Sequence, residues 1–309
     1  MGDGKSTQVI NGKAFEFAVA MALSDVLGVK ITENPSSVIA GQSYESVSPV
    51  LRQRFDDASR KVAQHILEKE KTLIEKRPSE IWLPSDAVGQ KGDVRDLVIN
   101  TESGEIGISC KTNHDAFKHS RLSAKADFVK SWGLDPAGCS DEYWSEVRPI
   151  FDVLRQIRKA SNRTARWEDE ADVPGRFYWP VLDAFEKEIK RLDAATLGEP
   201  TIASKLVTYL IGIKDFYKVT VRPEVVELQG FNLGGTLAVT KTRLPNQIIG
   251  IDKLNGGKYS KTIRFNRGFT FNFRIHSASS RVEASLKFDV TAISLPPSEV
   301  YTNHITLTP

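Results

Sequence analysis

The chain has 309 residues, 40% of them hydrophobic and 26% charged. That suits one large folded domain or two intimate ones, and excludes a disordered or low-complexity protein. With 42 basic and 39 acidic residues the formal charge is only +3, so total charge does not mark a nucleic-acid binder. Two cysteines, Cys110 and Cys139, exclude a disulfide framework or a zinc cluster.

Residues 1–10 are polar and read as a mobile start. A helix is predicted over 12–27, where Phe15, Val19, Ala22, Leu23 and Val26 recur near the 3.6-residue period. Glu16 lies beside that stripe; alone it reads as a solvated helix glutamate. A second helix is predicted over 49–76, with Leu51, Phe55, Ala58, Val62, Ile66 and Leu73 as its apolar stripe and Pro78 as its stop. Ile81-Trp82-Leu83 follows as a short strand or buried turn. No signal peptide opens the chain and no apolar run has membrane length, so the expected location is the cytoplasm, without a membrane partner.

A hairpin comes next. Asp96 to Ile99 and Glu105 to Lys111 read as strands joined by a Thr-Glu-Ser-Gly turn. Side chains alternate faces along a strand, so Ile106, Ile108 and Cys110 share an apolar face while Glu105, Gly107, Ser109 and Lys111 share the other. Asp96 just before the first strand and Lys111 at the end of the second meet at one rim. An ordinary hairpin with a strand-end lysine in water has the same spacing. The pair also suits phosphodiester hydrolysis: a carboxylate holds Mg²⁺, and a lysine beside the attacking water offsets developing charge.

Beyond Lys111 a loop turning into a short helix is predicted, rich in groups that bond phosphates or base edges. Asn113, Lys118 and Arg121 are the phosphate-contact candidates. His114 and His119 read as DNA contacts or packing residues rather than metal ligands, because Mg²⁺ prefers oxygen. Residues 141–195 read as helical, with most aromatics in the core. Their basic run 155–166 is either the wall of a DNA channel or a solvated helix face.

From about 201 the texture changes. A last helical piece over 206–213 precedes predicted strands at 216–221, 225–228, 237–240, 247–251, 262–265, 270–275 and 286–292. The chain is therefore expected to be α+β, with residues 1–200 as one part and 201–309 as a β-rich second part, or both within one continuous fold. In the second part Arg274 and His276 share a polar strand face, as do Lys287 and Asp289. Arginine reads guanine in the major groove, and Asp289 either accepts from a cytosine amino group or orients Arg274. A half-exposed sheet face with cross-strand ion pairs is the alternative.

The Asp96…Lys111 pattern resembles the PD-(D/E)XK nuclease core, a mixed sheet flanked by helices. It departs from it at Ser109, where that motif carries an acid. The runs GDVRDLVI (92–99) and EIGISCKTNHDAFKHSRLS (105–123) resemble the HaeIII family of type II restriction endonucleases. So do the segments 273–280 and 285–289, and more weakly 12–17, whereas the stretch of roughly 141–203 is not recognised. The resemblance implies Mg²⁺-dependent cleavage of double-stranded DNA at a short GGCC-like palindrome, and a cognate DNA methyltransferase as companion. A palindrome suits a two-fold dimer; a monomer cutting each strand in turn is the alternative. It also implies a glutamate delivered from the first helix, which makes Glu16 the preferred second acid over Glu105. Glu105 stands four residues from Ser109, roughly 13 Å at ~3.3 Å per residue. Asp93 is the fallback for Asp96.

Overall fold

The computed structural model describes residues 7–85, 93–196, 198, 200–253 and 259–307, with backbone alone at Lys118 and His119. Residues 1–6 of the polar start and Gly92 of the 92–99 run lie outside the described residues. The chain divides into two compact units, each assembled from separated stretches. The first comprises Met1–Asp115, Ile213–Arg243 and Pro296–Pro309; the second comprises Ala116–Gly212 and Leu244–Leu295. Neither ends at residue 200. The interleaving arises because β-pairing joins strands distant in sequence, which composition along the chain does not record.

The first unit carries helices α1 (Thr7–Leu27), α2 (Pro35–Ser46) and α3 (Pro49–Lys69) and strands β1 (Lys30–Ile31), β2 (Pro78–Trp82), β3 (Leu97–Thr101) and β4 (Gly104–Thr112). Helix α2 went unread because it has no strong apolar period, yet its start is well marked: Asn34 and Ser37 form a reciprocal capping box, with Pro35 at the first helical position between them. Helix α3 stops at Lys69, short of the predicted 76. The Glu70 carboxylate there accepts from Tyr217 Oη and the Ala238 N–H, both at 2.7 Å, and this pins the chain as it leaves the helix.

The remaining strands of this unit are β6 (Phe216–Val221), β7 (Val225–Phe231) and β12 (Tyr301–Thr306). Among the described residues they form a seven-stranded mixed sheet in the order β1-β2-β3-β4-β6-β7-β12. The β1–β2 and β4–β6 pairs are parallel and the others antiparallel. Strand β12 was not anticipated, and the strand predicted at 237–240 is irregular chain instead. The expected apolar face of β4 is buried: Ile106, Ile108 and Cys110 pack into one core with Phe15, Val19 and Leu23 of α1 and Phe55, Ala58 and Val62 of α3. Phe15 and Phe55 touch with ring centroids 5.3 Å apart. Each such fully buried side chain contributes about 1.5–3 kcal/mol by area. Val26, counted in the predicted stripe, is 47% exposed at the end of α1.

The second unit carries β5 (Ala116–Ser123), helices α4 (Asp141–Ala160), α5 (Trp179–Ala195) and α6 (Ile202–Ile211), and strands β8 (Ile248–Lys253), β9 (Ser260–Phe265), β10 (Thr270–His276) and β11 (Ser285–Ser294). Its sheet runs β5-β11-β10-β9-β8, all antiparallel. The segment predicted as a short helix after Lys111 is thus a strand. Ala116, Phe117 and Leu122 are buried, and pairing with β11 overrides the local helical reading. Strand β10 alternates strictly, with Phe271, Phe273 and Ile275 inward. Phe273 and Phe288 meet Phe185 of α5 at centroid distances of 5.4 and 5.1 Å. In the basic run, Arg155 is paired with Asp152 and Arg166 with Glu168, and both arginines are about half exposed, as on a solvated face.

Candidate active site

The β3–β4 hairpin builds the first candidate site. The Asp96 N–H donates to Ile108 O at 2.8 Å and opens a ladder in which Leu97 faces Ile108 and Thr101 faces Gly104. That register sets the Asp96 carboxylate against the last turn of β4. Its Oδ2 accepts from Ser109 Oγ at 3.0 Å, from the Cys110 N–H at 2.7 Å and from Lys111 Nζ at 3.0 Å. Ser109 therefore holds the aspartate in place. The Asp96 and Lys111 side chains are 22% and 16% exposed, so the pair is reachable yet well shielded from water. Burial works against the Lys111 ammonium, but Asp96 beside it outweighs this and keeps its pKa above the ordinary lysine value. Lys111 is a fixed cation at neutral pH.

Glu16 of α1 belongs to the same neighbourhood. It is 7% exposed, and Lys13 Nζ donates to its Oε2 at 2.9 Å. Burial first, and the negative charge of Asp96 second, push its pKa up to about 7, while Lys13 and Lys111 oppose them. Two carboxyls that repel across one rim are what a divalent cation relieves. The donors are hard oxygens, and Asp96 Oδ1 accepts no hydrogen bond among the described residues, so the residues present fit Mg²⁺. Among the described residues no group of three or more His, Cys, Asp or Glu is arranged to hold a metal, so a cation here would rely on two carboxylates and on substrate or water oxygens.

A pH effect follows for the metal-free protein. Between pH 4.5 and about 7 the folded state keeps a proton on Glu16 that the unfolded chain has lost. Stability therefore falls as pH rises across that window and levels off above it. Relative to Glu16→Gln, which cannot titrate, the wild type is expected to lose up to ~3 kcal/mol at ~1.36 kcal/mol per pKa unit. Melting both proteins in chelator over a pH series checks this; parallel curves would refute it.

The alternative acids are otherwise engaged. Arg95, 7% exposed, donates from Nε to Asp93 Oδ1 at 2.8 Å, from Nη2 to Asp93 Oδ2 at 2.7 Å and from Nη1 to Glu105 Oε2 at 2.8 Å. The arginine lies across Gly107, where an added Cβ would stand 1.9 Å from Arg95 Cδ. Asp93 and Glu105 are thus neutralised by one guanidinium that occupies the strand face between Glu105 and Ser109. The sequence reading missed Arg95, although the Asp93-Val94-Arg95 alternation carried the signal.

Lys218 was missed as well. It pairs in register with Ser109 across the parallel β4–β6 ladder and is 4% exposed. Its Nζ donates to Asp115 O at 3.0 Å. Burial pulls its pKa down to about 8, against Asp115 and Glu227, with Lys111 adding to the fall. A lysine inside the aromatic and β-branched run Phe-Tyr-Lys-Val-Thr-Val of β6 was the available signal. Asn113 is exposed at φ 53°, with its N–H on Val221 O at 3.0 Å, and His114 is half-buried.

The second unit has its own candidate surface. Rows of facing residues cross three strands: Arg121, Lys287 and His276 in one, His119, Asp289 and Arg274 in the next. Asp289 is 2% exposed, and its Oδ2 is bonded by His276 Nε2 at 2.6 Å and Arg274 Nη2 at 3.2 Å, with Lys287 Nζ 3.7 Å from Oδ1. The Asp289 carboxylate thus contacts both Arg274 and His276. Arg274, His276 and Lys287 keep 38%, 30% and 28% of their side chains exposed. Arg121 reaches Glu283 at 2.9 Å. Lys118 also lies on β5.

The sequence family described as HaeIII restriction endonuclease matches residues 12–296. The type II restriction enzyme HaeIII of Haemophilus aegyptius is 31% identical over 307 residues, covering 93% of this chain and 94% of that enzyme. No solved structure matches. Among the described residues no helix is long and apolar enough to cross a membrane.

Proposed function

This chain belongs to the HaeIII restriction endonuclease family and is a type II site-specific deoxyribonuclease, and we propose that the Asp96, Lys111 and Glu16 rim of the first unit is its cleavage centre. The observation that carries this is the single Asp96 oxygen shared by Ser109, Cys110 and Lys111, with a second carboxyl close enough to be perturbed by it. On this reading the first unit is a PD-(D/E)XK-type core. Enzymes of this kind need a divalent metal; here it would be Mg²⁺, held by Asp96 and Glu16. When bound, Mg²⁺ supplies a water of lowered pKa and neutralises phosphate charge.

The chain's own residues supply the rest. Lys111 directs its ammonium to the same oxygens and offsets charge that develops on the scissile phosphate. Ser109 and the Cys110 N–H hold the Asp96 carboxylate in one orientation. Asn113 and His114, just beyond β4, are the proposed contacts to the strand being cut, and Lys118 and His119 of β5 are proposed DNA contacts of the second unit. Double-stranded DNA is the substrate, read at a GGCC-like palindrome. A homodimer is proposed from that symmetry, and a cognate methyltransferase and cytoplasmic location from the family's biology. Incubating purified protein with plasmid and Mg²⁺ tests the reading: discrete bands support it, and structure-dependent nicking or intact plasmid opposes it.

The polar face of β10 and β11 is proposed as the base-reading surface. Three cationic or potentially cationic groups, Lys287, His276 and Arg274, surround the buried Asp289 carboxylate, and Arg121 of β5 stands beside Lys287. Arg274→Ala is expected to weaken cognate binding by about 1–3 kcal/mol and to shrink the cognate-to-random ratio. Equal weakening on all sequences, measured by fluorescence anisotropy, would make Arg274 a phosphate contact instead.

A further inference from the structure

A cavity of about 300 Å³ in the first unit adjoins the cleavage rim, and its polar wall is Gln8 and Asn11 of α1, Arg54 of α3, and Thr112 and Asn113 at the end of β4. Apolar side chains supply the remaining wall, and among the described residues no acidic side chain lines it. Arg54 makes no ion pair or hydrogen bond with any described residue, and its Nε is shut off from water without a partner. The position is unusual for α3. Leu51, Phe55 and Ala58 form the helix stripe that faces the core, and Arg54 stands among them, one turn after Leu51, where an apolar residue would extend the packing. The surface arginines of the same unit have acidic partners: Arg52 with Glu45, Arg60 with Asp57, and Arg222 with Asp115 and Glu227.

An uncompensated, partly desolvated cation costs the folded state free energy, and an anion entering the cavity removes that cost. The neutral lining groups match an anion's needs, since Gln, Asn and Thr side chains all carry donors. The cavity begins at Thr112, the residue after Lys111. Lys111 and Asn113 lie two residues apart across the end of β4, roughly 6–7 Å along the chain before it turns at Asn113 (φ 53°), a step of the order that separates neighbouring phosphates on one DNA strand.

We propose that this cavity is a phosphate subsite, in which Arg54, with Asn113, Gln8 and Asn11, grips the DNA backbone phosphate next to the one that is cut. The inference rests on the nuclease reading of the Asp96–Lys111 rim and assigns Arg54 a place in substrate binding. Burial lowers the Arg54 pKa below the usual arginine value, as it does for a guanidinium without a counter-charge.

The test measures binding and stability together in Ca²⁺, with Arg54→Met and Arg54→Lys beside the wild type. On a random-sequence duplex over a salt series, Arg54→Met is expected to flatten the slope of log K against log salt by about 0.9, the value for one lost phosphate contact. It should weaken cognate and random duplexes equally. Arg54→Lys should keep most of the slope. Without DNA, Arg54→Met should melt at or above the wild-type temperature, and inorganic phosphate should raise the melting temperature of the wild type and not of Arg54→Met. An Arg54→Met protein with the wild-type slope overturns the subsite, as does one that melts lower while responding to phosphate like the wild type. Wild-type protein that binds no duplex at all would instead overturn the nuclease reading beneath it.

Discussion

Lys111→Ala and Asp96→Asn are each expected to lower DNA cleavage by at least ~10²-fold while leaving cognate binding in place. The two side chains meet at 3.0 Å with little solvent between them and the interior, so their charges act at short range in a poorly screened setting. Lys111→Ala removes the ammonium but leaves the Asp96 carboxylate with Ser109 Oγ and the Cys110 N–H, so the rim keeps its shape. Asp96→Asn keeps a carbonyl oxygen for those donors and removes the charge that holds Lys111 and a metal. Neither change touches the apolar face of β4, which is what the core uses. Plasmid cleavage read beside duplex binding separates the effects. Near-wild-type cleavage by either variant would remove that residue from the centre, and loss of cleavage together with loss of folding would show a structural role instead.

What the sequence revealed about this site was local. The period-2 pattern of residues 105–111 and the turn before it place Asp96 and Lys111 at one rim, and in the fold the two are bonded. Local pattern also drew the alternating face of β10 and the helical character of the stretch that holds α5. It failed where tertiary pairing decides the outcome. The segment at 116–123 has helix-compatible residues and becomes a strand because β11 lies open beside it. The division into interleaved units depends on the parallel pairing of β4 with β6, more than 100 residues away, which no local period announces. Arg95 and Lys218 were legible in principle, as charges set in apolar or alternating runs, but their partners were not. Only folding brings Glu105 to Arg95 and Asp115 to Lys218.

Glu16→Gln is expected to raise the Mg²⁺ requirement for cleavage sharply or abolish activity, while Glu105→Gln leaves the Mg²⁺ curve close to wild type. The two glutamates differ in what surrounds them. Glu105 is 43% exposed and already bonded to Arg95, which also holds Asp93, so its charge is spent in a structural clamp. Taking it for a metal would strand a buried guanidinium, and Arg95 lies between it and Ser109 across Gly107. Glu16 is buried, and its nearest cation is Lys13, one helical turn away on α1. Burial first, and the charge of Asp96 second, raise its pKa, and a divalent cation relieves both where a proton relieves them less well. Glutamine preserves the size of the side chain, and a neutral group at this position suits the folded protein better than a carboxylate does, so folding should survive or improve. Mg²⁺ must displace the Glu16 proton, so the wild-type half-saturating concentration should also rise as pH falls below about 7, and this dependence should vanish in Glu16→Gln. A Mg²⁺ titration of cleavage for both variants at two pH values decides it. A wild-type curve for Glu16→Gln beside a crippled one for Glu105→Gln would move the second acid of the site from α1 to β4.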